Sequence, residues 1–156
     1  MSHCSHHDHC LAQALAQAET LCQTQGVRLT PLRRQVLELV CASHAAIKAY
    51  DIIHQLSTED HQVKPPTVYR TLDFLLEHGL IHRVDSLNAF VGCSHPQEPH
   101  EARLLICDSC GDIGELSDPA LDRALQQAID QAGFRTTRAH LEIHGLCAHC
   151  QEKNSV

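Results

Sequence analysis

The chain has 156 residues, 43% of them hydrophobic, with 14 His, 9 Cys, only 2 Tyr and 3 Phe as aromatics, and a formal net charge of −7. That length holds one ordinary domain or two small ones, and the apolar content is too high for a wholly disordered chain. No run approaches the ~18 apolar residues of a membrane helix, and the opening MSHCSHHDHC lacks the basic and apolar regions of a secretory signal, so the expected location is cytoplasmic.

Residues 1–10 are rich in His, Ser and Cys, lack periodicity and read as a flexible tail. Its His3, Cys4, His6, His7, His9 and Cys10 are either incidental donors or zinc ligands. Residues 11–25 are rich in helix formers and place Leu11, Leu15, Ala18 and Cys22 on one stripe, which Gly26 ends. Thr30-Pro31 is an N-cap followed by Pro at the first helical position, and the helix it opens keeps Val36, Leu39 and Val40 together. A shorter helix over 49–56 turns Ile52, Ile53 and Leu56 inward.

Pro65-Pro66-Thr67 opens a fourth helix, which Gly79 closes. Val68, Leu72, Leu75 and Leu76 form its apolar stripe, Arg70 points away, Tyr69 sits on the flank, and Phe74 falls off the stripe. Two short runs, 80–85 and 88–92, make a hairpin across Ser86-Leu87. Helices followed by a hairpin are the order of a winged helix-turn-helix, so 11–92 reads as such a domain. A helix that enters the major groove needs polar and cationic groups opposite its core stripe; Arg70, with Thr67 and Tyr69 beside it, meets that need. The overall charge does not oppose this. Residues 1–92 carry 7 Lys/Arg against 9 Asp/Glu, and residues 93–156 carry 5 against 10, so the acidity sits in the C-terminal part.

Residues 93–101 contain two prolines and little apolar content, and read as a hinge. A strand over 103–107, a short strand over 113–116, a helix over 118–131 capped by Asp118-Pro119 and ended by Gly133, and a strand over 136–144 follow. The whole is an α+β chain, with a small α/β unit over 102–156 after the winged helix.

In a reducing compartment thiols are more often metal ligands or buried hydrophobes than disulfides. Cys107-Asp-Ser-Cys110 and Cys147-Ala-His-Cys150 are two Cys-x-x-Cys knuckles, together the four thiolates that tetrahedral zinc prefers. The 36 residues between them exceed a zinc-ribbon spacing, and the inserted helix and strand account for that. A closed four-sulfur site has a structural role; two redox pairs are the other reading. Cys22 and Cys41 lie on apolar stripes and read as core thiols. His140-x-Glu142 before Cys147-x-x-Cys150 imitates a zinc deaminase pattern, but the gap is four residues and the preceding Pro is missing. His82, Cys93, His100 and Glu115 are a looser set; singly they read as a strand histidine, a buried thiol, a linker histidine and a surface acid. A zinc enzyme would need an open metal position and a general base, and no such base accompanies the knuckles. A zinc-storage or redox protein remains the competing class.

With these motifs in view, the chain resembles the ferric uptake regulator family of bacterial metal-sensing repressors. The residues that carry the likeness are Arg28-Leu-Thr-Pro-Leu-Arg33, Ala49-Tyr-Asp51, Pro65-Pro-Thr-Val-Tyr-Arg70-Thr-Leu-Asp-Phe-Leu-Leu76, His82, Ile106-Cys-Asp-Ser-Cys-Gly111 and His144-Gly-Leu-Cys-Ala-His-Cys150. Lys64-Pro-Pro, Cys93 after the hairpin and the Gly-Leu-Cys-x-x-Cys ending resemble its zinc-sensing branch. The His-His-x-His motif of the iron and peroxide branches is absent, the stretch reading Ser94-His-Pro-Gln-Glu-Pro-His100, so the likeness does not extend to a further metal site through His95 or His140.

The resemblance implies a winged-helix DNA-binding domain joined by a hinge to a dimerisation domain, acting as a homodimer on an operator. It implies two zinc ions per chain: a structural one at Cys107, Cys110, Cys147 and Cys150, and a regulatory one at His82, Cys93, His100 and Glu115. Arg70 is then expected to read a base, with Tyr69, Thr67 and Tyr50 on sugar-phosphate or nearby bases. A sensor of iron, manganese or peroxide is the alternative within the family.

Overall fold

The computed structural model describes residues 7–59, 62–96 and 100–153, and of residues 7 and 8 only the backbone. Helix α1 (His7–Thr24) starts inside the segment expected as a tail, so the helix of 11–25 gains a turn at its front. Nothing in His7–Cys10 breaks a helix. His3, Cys4 and His6 lie outside the described residues. Leu15, Ala18 and Cys22 are buried along one face. The helix stops at Gly26 (φ +67°), where the Val27 N–H reaches back to the Cys22 carbonyl at 2.9 Å.

Thr30 caps α2 (Pro31–Cys41) by accepting the Arg33 N–H, and α3 (Ala49–Leu56) and α4 (Pro65–Glu77) follow as their apolar spacing predicts. Val36, Leu37 and Val40 of α2, Ile52 of α3 and Val68, Leu72 and Leu75 of α4 close a core under α1. Phe74 is off that stripe for a reason the spacing does not reveal. The Arg33 guanidinium stacks on its ring at 3.4 Å, and the His78 ring lies 4.3 Å away on the other flank.

The hairpin pairs β1 (Ile81–Val84) with β2 (Ala89–Gly92) in antiparallel register, Ile81 opposite Gly92 and Val84 opposite Ala89. A 3₁₀ turn at Asp85–Leu87 joins them, with Asn88 in the left-handed region. One face of the hairpin completes the helical core through Ile81 and Phe90; Val84 and Val91 share a second core with Leu104, Ile106 and Ile113 of the C-terminal sheet. The loop after α2 also touches that sheet, the Ile113 N–H donating to the His44 carbonyl at 2.9 Å.

The C-terminal sheet has the order β4-β3-β5. Central β3 (Arg103–Cys107) pairs antiparallel with β4 (Ile113–Glu115) and parallel with β5 (Leu141–Gly145), and α5 (Pro119–Gln131), capped by Asp118, makes the crossover. The strand expected over 136–144 is confined to β5, because β3 begins at Arg103, opposite Leu141, and leaves earlier residues nothing to pair with. The last knuckle does not end in a turn but runs into α6 (Ala148–Lys153), whose first turn closes with the Gln151 N–H on the Cys147 carbonyl. Among the described residues, no helix is long and apolar enough to cross a membrane.

Candidate metal centres and nucleic-acid interface

Two clusters of four ligand atoms exist among the described residues, each with all its atoms within 4.8 Å of one another. The first joins the two knuckles. β3 delivers Cys107 at its end, the tight turn after it brings up Cys110, and the segment from β5 into α6 supplies Cys147 and Cys150. Parallel pairing of Cys107 with Gly145 sets the two knuckles side by side. Cys107, Cys147 and Cys150 are buried and form a small core of their own, while Cys110 is exposed.

The Cys110 and Cys147 sulfurs are 3.7 Å apart, and tetrahedral zinc with Zn–S bonds of about 2.3 Å needs ligand separations of about 3.8 Å. Backbone N–H groups of Cys147 (3.3 Å) and Cys110 point at the Cys107 sulfur and draw its thiol down to about 6. Donors aimed at sulfur in this way stabilise a thiolate, the form that binds metal. The set is soft, closed and four-coordinate, so the residues fit a structural ion.

The second cluster spans the boundary between hairpin and sheet. His82 comes from β1, Cys93 follows β2, His100 precedes β3 and Glu115 ends β4. The Glu115 side chain is only 5% exposed, and such a carboxylate is costly to bury without partners. One oxygen takes the His82 Nε2 at 3.0 Å and the His100 Nε2, while the other accepts the Ser94 N–H at 3.0 Å. Burial works to raise the Glu115 pKa, but the His82 hydrogen bond, the Ser94 N–H and the fields of both imidazoles outweigh it and hold the carboxyl at about 2. The Cys93 sulfur is 3.6 Å from His100 Nε2, and the two imidazole rings are 5.2 Å apart, edge to face.

Burial, then the negative charge of Glu115, pushes the Cys93 thiol up to about 12. A sulfur, two imidazole nitrogens and a carboxylate converging on one point suit zinc better than octahedral oxygen-loving ions. The sequence alone does not single out the Ser94 N–H; only its place directly after Cys93 hints at it.

Other candidates fall elsewhere. Glu142 is committed to the hairpin turn, accepting the Asp85 and Ser86 N–H groups, and His140 faces Asp85 at 3.9 Å. His144 pairs with Asp108 at 2.9 Å, and neither His95 nor His140 belongs to a ligand cluster among the described residues. Cys22 is buried as expected, whereas Cys41 is only half-buried.

In the helical unit, Thr67, Tyr69 and Arg70 are exposed along the first two turns of α4, with Tyr69 at 51%. Tyr50, at the start of α3, is 74% exposed. Large aromatics are normally covered, so two exposed tyrosines with an outward Arg make this face a candidate contact surface.

The family model described as the Ferric uptake regulator family matches residues 24–144. The chain is 43% identical over 141 residues to the Zinc uptake regulation protein of Escherichia coli (strain K12), spanning 90% of this chain and 82% of that protein. A zinc uptake regulator solved in complex with zinc and DNA superposes with a TM-score of 0.85 at 41% identity, covering 94% of this chain and 98% of the other. The holo crystal structure of XcZur superposes at 0.80 (39% identity, 88% and 96% covered), and its apo structure at only 0.54 (38% identity, 90% and 97% covered). With two cysteine knuckles, a hinge cluster and a winged helix in the matching order, the chain belongs to the ferric uptake regulator family.

Proposed function

We propose that this protein is a zinc-responsive transcriptional repressor, which binds palindromic operators of zinc-uptake genes as a zinc-loaded homodimer. The observation that carries the reading is its shape: the chain superposes well on the holo form of a zinc uptake regulator and poorly on the apo form, at nearly equal identity. The His82–Cys93–His100–Glu115 cluster supplies a reason, since its ligands come from both sides of the boundary.

The domain division is 11–92 for DNA binding, 93–101 as hinge and 102–156 for dimerisation. Each chain holds two zinc ions, a structural one on Cys107, Cys110, Cys147 and Cys150 and a regulatory one at the hinge. Zinc at the hinge supplies a cross-link between the domains. His82 and Cys93 then hold the wing, and His100 and Glu115 hold the dimer domain, in a single arrangement. Shifting that arrangement from 1:99 to 99:1 requires about 5.5 kcal/mol of differential binding, within reach of a four-ligand site. In a dimer it sets two α4 helices near the ~34 Å spacing of one DNA turn.

Arg70 reads a base edge, while Tyr69, Thr67 and Tyr50 contact the backbone or neighbouring bases. Dimerisation is supported by what one chain leaves uncovered. β5 is an edge strand with Ile143 42% exposed, Leu146 after it is 41% exposed, and Leu121, Leu125 and Ile129 of α5 are only half-buried. The protein acts on DNA in the cytoplasm as a regulator and not as an enzyme.

The test is a zinc titration of binding to a palindromic duplex, at two salt concentrations, for the wild type and Cys93→Ser. The wild type gains affinity with zinc and loses it with salt. Cys93→Ser keeps its structural zinc and loses the zinc response; an unaltered response removes Cys93 from the regulatory site.

A further inference from the structure

The hinge cluster opens on one side into a cavity of about 220 Å³ between α1, the end of α2 and the hairpin. Cys93 and Glu115 line it, and so do Cys10 of α1, Cys41 at the end of α2 and His44. Three cysteines therefore line one cavity, none of them in a disulfide, and only Cys93 belongs to the four-ligand cluster. Cys10 and Cys41 are not members of that ligand set; they lie beside it on the same cavity.

Cys10 and Cys41 are half-buried and Cys93 is buried. Cys41 is also held unusually near the strand that delivers Cys93. A Cβ added at Gly92 would stand 2.6 Å from the Cys41 sulfur, closer than real contacts allow, so only glycine lets the thiol lie against that backbone. A second cleft also reaches the cluster, at His82 and His100, but no sulfur lines it.

We infer that this cavity is a zinc-loading vestibule, in which Cys10 and Cys41 take the ion first and pass it by ligand exchange to Cys93. The inference rests on the reading of the hinge cluster as a zinc site. No electrons move, and zinc stays divalent. A Zn–S bond to Cys93 forms as the one to Cys41 breaks; the Cys93 thiol proton leaves to solvent, and the departing Cys41 sulfur takes a proton back. The vestibule thiols act on the rate of loading and leave the final coordination unchanged.

The experiment uses the full chain, stripped of hinge zinc but keeping structural zinc, mixed rapidly with the zinc complex of a chromophoric chelator. Wild type, Cys10→Ser, Cys41→Ser and Cys93→Ser are compared for transfer rate and for the zinc midpoint of duplex binding at equilibrium. Cys10→Ser and Cys41→Ser slow transfer at least fivefold and move the equilibrium midpoint less than twofold. Cys10 lies on the half-buried face of α1, so its variant reports even if Cys41→Ser destabilises the core. Wild-type transfer rates in Cys10→Ser and in a folded Cys41→Ser overturn the vestibule, as does a midpoint shift equal to the rate loss. Undiminished uptake of the second zinc by Cys93→Ser overturns the hinge-site reading itself, which separates the two failures.

Discussion

Glu142 of the C-terminal sheet holds the wing at Asp85: its carboxylate accepts the Asp85 N–H at 2.6 Å and the Ser86 N–H at 3.1 Å. These N–H groups open the 3₁₀ turn at the hairpin tip, where a negative group satisfies donors the turn leaves over. The contact crosses the boundary between the halves and needs no metal, so it keeps the wing registered on the sheet alongside the hinge cluster.

Removing that latch has a measurable cost. Burial tends to raise the Glu142 pKa, but bonds from Ser86 and Asp85 and the nearby His144 win and lower it. A carboxyl depressed in the folded state contributes stability above its unfolded pKa, about 4.3, and loses it as pH falls through the folded value. Glu142→Gln is expected to lose about 1 kcal/mol at neutral pH. The variant also loses the part of the acid dependence that this group supplies. Hydrogen exchange at Asp85 and Ser86, together with denaturant unfolding at pH 7 and pH 3, measures both; unchanged exchange at these amides would show that the latch does not hold the tip.

The four-sulfur cluster takes the place of apolar packing at the Cys107 end of the C-terminal sheet. Cys107, Cys147 and Cys150 are the buried members of their own cluster, and α6 has no other buried residue among those described. Structural zinc contributes roughly 10–16 kcal/mol to small metallodomains, far more than a sheet of three short strands gains from its remaining apolar contacts. Cys110→Ser, the exposed member, is expected to lose that zinc and melt 102–153 while α1–α4 stay folded. Zinc analysis with residue-resolved exchange checks this; protection retained in β3 without zinc would contradict it.

How much was legible in the sequence depends on the range of the interaction. Thr30-Pro31, Gly26 and Gly79 act within one turn, and the helix ends they predict are where the structure has them. Cys-x-x-Cys spacing is equally local, so both knuckles could be read directly. His82, Cys93, His100 and Glu115 come from four separate segments, and only the hairpin and sheet pairings bring them together. From spacing alone each looked ordinary, and family likeness was needed to group them. Phe74 under Arg33, Glu142 on Asp85 and Cys41 against Gly92 are contacts between elements remote in sequence, and no periodicity encodes them. The start of α1 at His7 is not legible in the sequence, because the composition of residues 1–10 is that of a tail although nothing in His7–Cys10 breaks a helix.

Zinc loading at the proposed hinge site is expected to release protons. Burial and the Glu115 charge keep the Cys93 thiol up at about 12, so without metal it is protonated at neutral pH, and it must bind as thiolate. Zinc binding is therefore expected to release at least one proton per hinge site, with apparent affinity rising about tenfold per pH unit for each proton released. Calorimetry of zinc binding near pH 7.5, in buffers of different ionisation enthalpy, counts them. Cys93→Ser loses that proton; an equal count in both proteins would mean that Cys93 does not ligate. The Glu115 carboxyl, held at about 2, is already ionised at these pH values and releases none. Glu115→Gln therefore weakens zinc binding without changing the proton count.

Arg70 is the residue on which sequence reading should turn. It is exposed on α4, opposite the buried Val68, Leu72 and Leu75, so truncating it leaves the core intact. Arg70→Ala is expected to keep wild-type zinc content and melting temperature, yet bind its operator about 1–3 kcal/mol more weakly, roughly 5- to 150-fold, with reduced discrimination at the base it contacts. A phosphate contact predicts a different pattern: uniform weakening on every duplex and a salt slope lower by about one. Tyr50→Phe and Tyr69→Phe, which remove hydroxyls at 74% and 51% exposed positions, should weaken all duplexes alike. Competition binding of each variant to the operator and to single-base variants of it, at two salt concentrations, separates these outcomes. Unchanged operator affinity in Arg70→Ala would overturn α4 as the recognition helix.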